Sequence, residues 1–76
     1  MRNDTLEKLF SSLSNANYKP SYDKESENIF VTTDEYDWEI CESAATEYFG
    51  VKREDGISEP EYYSCKGIKE VLNLLQ

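Results

Sequence analysis

Two apolar stripes at helical spacing bracket a middle section that alternates. Leu6, Leu9, Phe10 and Leu13 recur at i, i+3, i+4 and i+7, which predicts an amphipathic helix over about residues 4–16. Asp4 suits its cap, Glu7 stands three residues on, and Asn15-Ala16-Asn17 has too low a helix propensity to continue it. Ile68, Val71, Leu72 and Leu75 repeat the spacing and predict a C-terminal helix from about residue 65. Between them, the β-branched and aromatic run Asn28–Thr33 and the alternating run Tyr36–Cys41 read as strands joined by a turn at Asp34-Glu35. Tyr18–Tyr22 alternates weakly, and Pro20 restricts it to an edge strand or an extended lead-in, with a polar hairpin loop at Asp23–Glu27.

Ser43–Gly50 reads as a short helix, capped by Ser43 and stopped by Gly50, with Val51 folding back on its last turn. Lys52–Gly56 is a charged loop. Ser58-Glu59-Pro60-Glu61 resembles a second capping box that starts a short turn through Tyr62 and Tyr63, and residues 57–65 are open between turn, strand and helix start. The expected order is α-β-β-β-α-α. This is an α+β fold in which a three-stranded antiparallel sheet buries one face under the N- and C-terminal helices, in a single domain spanning residues 1–76.

Charge changes the picture more than composition does. Sixteen acids against eight bases leave a net charge of −8. Residues 23–47 hold nine of the acids (Asp23, Glu25, Glu27, Asp34, Glu35, Asp37, Glu39, Glu42 and Glu47) and one base, Lys24, so the whole imbalance sits in the middle third. Such a field destabilises a compact chain by self-repulsion and steers association toward cationic surfaces. It argues against direct binding of DNA, RNA or an anionic membrane, each of which needs a basic face. The start MRNDTLEKLF has no signal-peptide core and no apolar run is long enough to cross a membrane, so the expected location is the cytoplasm of a host cell. Cys41 and Cys65 fit no metal or redox spacing and read as two reduced, partly buried thiols, with a disulfide between them as the alternative.

The chain has no histidine, which removes the commonest general base and metal ligand, and neither cysteine has a partner to activate it. Its three glycines form no phosphate loop. Asp34, Asp37 and Glu39 lack the spacing and the glycine of a calcium loop. No catalytic residue, no metal site and no cofactor is expected.

The alternation in TTDEYDWEICE supplies the candidate site. Tyr36, Trp38 and Ile40 share one parity and are expected to face the core; Glu35, Asp37 and Glu39 share the other and are expected to face outward. Same-face residues on a strand repeat every ~6.6–7 Å, so these three would form a row of negative charge. Glu42 and Glu47 extend it past the strand end, and Asp34, Glu25 and Glu27 flank it. Carboxylates in a row can occupy a groove built for phosphates and meet its Lys and Arg. The plainer alternative is a sheet face kept solvated by its acids. Tyr62 and Tyr63, in a polar segment, are candidates either to anchor a partner or to pack over the last helix.

In size, charge, lack of catalytic groups and an acidic sheet beside helices, the chain resembles small acidic inhibitors carried by phages and mobile elements, among them anti-CRISPR proteins and uracil-DNA glycosylase inhibitors. The glycosylase inhibitors carry a Glu-Ser-aliphatic triplet. Glu42-Ser43-Ala44 and Glu25-Ser26-Glu27 match two of its three positions and depart at the third, so no functional residue is carried over. The resemblance implies a non-enzymatic inhibitor, a monomer or weak dimer. Its partner would be a basic nucleic-acid-binding protein or a CRISPR effector subunit, engaged by mimicry of DNA or RNA. A small acidic adaptor or toxin-immunity protein with a basic partner is the alternative, and a domain that self-associates through its sheet edge is a third reading.

Overall fold

A computed structural model describes residues 4–43 and 48–76 of the chain. Helix α1 (Asp4–Asn15) is followed by five strands: β1 (Ser21–Asp23), β2 (Asn28–Thr32), β3 (Asp37–Glu42), β4 (Tyr48–Glu54) and β5 (Glu61–Lys66). Helix α2 (Gly67–Leu75) closes the chain. The strands form one antiparallel meander in the order β1-β2-β3-β4-β5, each hydrogen-bonded to its neighbours in sequence.

Helix α1 forms where its apolar stripe requires it. Leu6, Leu9 and Leu13 are buried, and the helix ends where Asn17 adopts a left-handed conformation (φ 71°) while the Tyr18 N–H donates back to the Leu13 carbonyl. Asparagine tolerates that conformation better than most residues. Both helices cover one face of the sheet. Their buried leucines and Val71 meet Ile29, Val31, Trp38, Ile40, Phe49, Val51 and Cys65, and all twelve residues of this core are 6% exposed or less. Each large side chain so buried contributes about 1.5–3 kcal/mol relative to exposure. A chain this short builds stability mainly from such residues.

The sheet corrects the expected architecture: it has five strands, not three, and the chain folds with two helices in the order α-β-β-β-β-β-α. Of the helix expected at Ser43–Gly50, residues 44–47 lie outside the described residues, and Tyr48–Gly50 begin β4. Phe49 and Val51 point into the core while Tyr48, Gly50 and Lys52 point away, the period of two that a strand needs. Gly50 looks like a helix stop in sequence, yet it stands in mid-strand opposite Cys41. A Cβ there would meet the Cys41 Sγ at 3.0 Å, so the position favours glycine because of a close neighbour rather than a turn. The capping box expected at Ser58–Glu61 starts no turn through Tyr62 and Tyr63: β5 runs straight through Glu61–Lys66 and buries Cys65. Strand passes to helix at Gly67, whose φ of +79° turns the chain back over the sheet.

No helix among the described residues is long and apolar enough to cross a membrane.

Candidate functional site

The helices leave the opposite face of the sheet uncovered. Across it run the register rows Ser21–Phe30–Glu39–Lys52–Tyr62 and Thr32–Asp37–Glu54. Asp37 and Glu39 are therefore neighbours on one strand and one face. Asp37 is exposed and its Oδ1 accepts a bond from the Thr32 hydroxyl at 3.1 Å. Glu39 is half-buried, and its Oε2 accepts from the Asn28 amide at 2.7 Å.

The other candidate acids do not extend this pair into a row. Asp34 and Glu35 belong to the turn between β2 and β3, where the Thr33 N–H donates to the Tyr36 carbonyl. Both are exposed and stand at the Asp37 end of the sheet. Glu42, at the other end of β3, pairs with Phe49 and so takes the parity of the helix-covered face. Glu25 and Glu27 lie in the β1–β2 turn, organised by Asp23, whose carboxylate accepts from the Glu25 N–H and the Ser26 hydroxyl, both at 3.0 Å. That turn adjoins the Glu42 end, roughly 17 Å from Asp37 at the rise of an extended strand. Glu47 lies outside the described residues. Apart from Glu39 in mid-strand, the acids of residues 23–42 thus divide between the two ends of the sheet.

What the structure adds at the Asp37 end comes from Lys52–Glu54, which continue β4 where a charged loop over Lys52–Gly56 is expected. Glu54, the last residue of β4, stands in register with Asp37, and Asp55 follows it. The alternation Gly50, Lys52, Glu54 was the signal that would have placed Glu54 there. The two bases of this strand are already engaged. Lys52 Nζ lies 2.9 Å from the Glu54 carboxylate, and that bond holds the ammonium above its ordinary pKa. Arg53 pairs with Glu61, and its guanidinium carbon sits 4.3 Å from the Tyr36 ring centre and 5.3 Å from that of Tyr63. The Tyr63 hydroxyl donates to the same Glu61 carboxylate, and this bond, with the charge of Arg53, lowers the pKa of Glu61. Asp55 is lowered too, first by the N–H of Ser58 and then by that of Ile57, both at 2.8 Å. Among the described residues no cation pairs with Asp34, Glu35 or Asp37.

The two cysteines lie on opposite faces. Cys41 is exposed on the uncovered side and Cys65 is buried beneath the helices, where loss of solvent pushes its thiol pKa up. Both are free thiols, and the sheet between them keeps them apart. Tyr62 and Tyr63 also part company. Tyr62 is 73% exposed on the uncovered face, while Tyr63 packs against the core edge beside Arg53. Among the described residues no group of three or more carboxylates and thiols is placed to hold a metal ion.

Compared with known proteins, the chain matches no family model, and no curated protein and no solved structure matches it.

Proposed function

We propose that this protein is a non-enzymatic inhibitor that binds the basic, nucleic-acid-binding surface of another protein, as anti-CRISPR proteins do, through the acidic end of its open sheet. The observation that carries the reading is the in-register pair Asp37 and Glu54 beside the turn acids Asp34 and Glu35. Like charges directly opposite on a sheet destabilise it. A fold that keeps them on its uncovered face gains from them when a cationic partner arrives. The carboxylates of this end then replace the phosphates that the partner's Lys and Arg otherwise hold. Glu25, Glu27 and Glu42, at the far end, act through the long-range field and not through the same contact.

The test compares the wild type with Asp34→Lys/Glu35→Lys/Asp37→Lys as baits in host lysate, at low and high salt, with DNA or RNA as competitor. All three residues are exposed, so the variant keeps its fold. A nucleic-acid-binding partner that is lost to the variant, to salt and to the competitor is the expected result. A partner retained by the variant, or indifferent to nucleic acid, overturns the mimicry. Retention by an unrelated basic protein without nucleic-acid competition would instead point to an adaptor.

A further inference from the structure

The uncovered face also carries a hollow of about 240 Å³, away from the acidic end. Its floor is Gly50, which has no side chain, and the Cys41 thiol stands beside it. Tyr62, the most exposed aromatic side chain among the described residues, forms one wall. Glu39 and Lys52, cross-strand neighbours, form the rim. Lys52 is drawn toward Glu54, and Glu39 is fixed by Asn28. The hollow therefore combines an apolar floor, an aromatic face and one anchored carboxylate.

From this combination we infer that the hollow receives an arginine side chain of the protein partner, and so acts as the specific contact of the interface. The inference rests on the functional reading above, because it takes the partner to be basic. An apolar plug would leave the Glu39 carboxylate desolvated with one hydrogen bond, a costly arrangement. A phosphate or carboxylate is opposed by the net charge of −8. Arginine matches the floor, the aromatic face and the carboxylate at once: its methylene stem lies over Gly50 and Cys41, its planar guanidinium stacks on Tyr62, and its N–H groups reach Glu39, while the Lys52 ammonium on the rim is held by Glu54. Lysine offers the charge without the plane, so the hollow distinguishes the two.

The probe is a hexa-arginine peptide amide, with hexa-lysine amide as its charge-matched control, each titrated into isotopically labelled protein and followed by backbone amide shifts. The expected result is saturable movement of Gly50, Cys41 and Tyr62 with hexa-arginine and weaker movement with hexa-lysine. Tyr62→Ala should weaken the arginine peptide about fivefold, the scale of one lost cation–π contact. Glu39→Gln should do likewise while keeping the bond from Asn28. Shifts confined to Asp34, Glu35 and Asp37, equal for both peptides and indifferent to Tyr62→Ala, overturn the hollow as an arginine site and leave the acidic reading standing. Absence of any shift with either peptide overturns both. Tyr62 is exposed, so its variant folds and keeps the test decisive even if Glu39→Gln does not.

Discussion

Asp37 opens β3 and Glu54 closes β4, and the two residues stand in register on neighbouring strands, on the uncovered side of the sheet. The arrangement sets local stability against a capacity to bind. Among the described residues, Glu54 has Lys52 as a partner, whereas Asp37 has only the Thr32 hydroxyl.

Replacing Asp37 with lysine turns a repulsive cross-strand pair into an attractive one and reduces the net charge. The expected outcome is a Tm a few degrees above wild type at low salt, with the gain shrinking as salt screens the pair. Binding to a basic partner should fall at the same time, a trade of stability against function. Thermal melts followed by Trp38 fluorescence, at two ionic strengths, decide it: an unchanged or lower Tm would mean that the Asp37–Glu54 repulsion is negligible.

The core is small enough for one cavity to matter. Leu9 is fully buried between α1 and the sheet. Leu9→Ala should cost about 2–5 kcal/mol in urea-induced unfolding. For a domain near the lower end of the usual stability range, this leaves a large unfolded fraction at 25 °C. A cost comparable to that of an exposed substitution, such as at Ser11, would show that α1 is not part of the cooperative core.

Acid should act through Asp55 and Glu61, whose carboxyl pKa values are lowered in the folded protein by the bonds described above. A lowered folded value means that the unfolded chain takes up the proton first. The stabilisation is therefore complete above the unfolded value, near pH 4, and is lost as pH falls through the folded values. Asp55→Asn/Glu61→Gln should be less stable than wild type at pH 7 and should lose less on going to pH 3. Parallel pH profiles for the two proteins would assign the acid sensitivity to other groups.

The cysteines should separate by reactivity. Cys41, exposed beside Gly50, is expected to react with a thiol reagent in the native protein, and Cys65 only when the chain unfolds. One equivalent should titrate before denaturant and two after. Two fast equivalents in the native state would mean that the α2 side of the core opens readily.

The sequence by itself determined the features that depend on local periodicity. The stripe of Leu6, Leu9 and Leu13 gave α1, the stripe of Val71 and Leu75 gave α2, and the alternation of Trp38 and Ile40 gave the inward face of β3 and the outward face of Asp37 and Glu39. Periodicity failed where residues had two local readings. Ser43 and Gly50 looked like helix punctuation, and Ser58–Glu61 looked like a cap; yet Tyr48–Glu54 and Glu61–Lys66 are strands. Those two segments become strands because the free edge of β3 offers backbone partners and the helix-covered side takes Phe49, Val51 and Cys65, and both are long-range effects. The candidate site followed the same division. The count of acids was legible in the chain, but their grouping was not. The register moved Glu42 to the other face, set Glu25 and Glu27 at the far end, and brought Glu54 to Asp37. Charge is a property of composition, whereas a charged surface is a property of strand pairing, which joins residues that the sequence keeps apart.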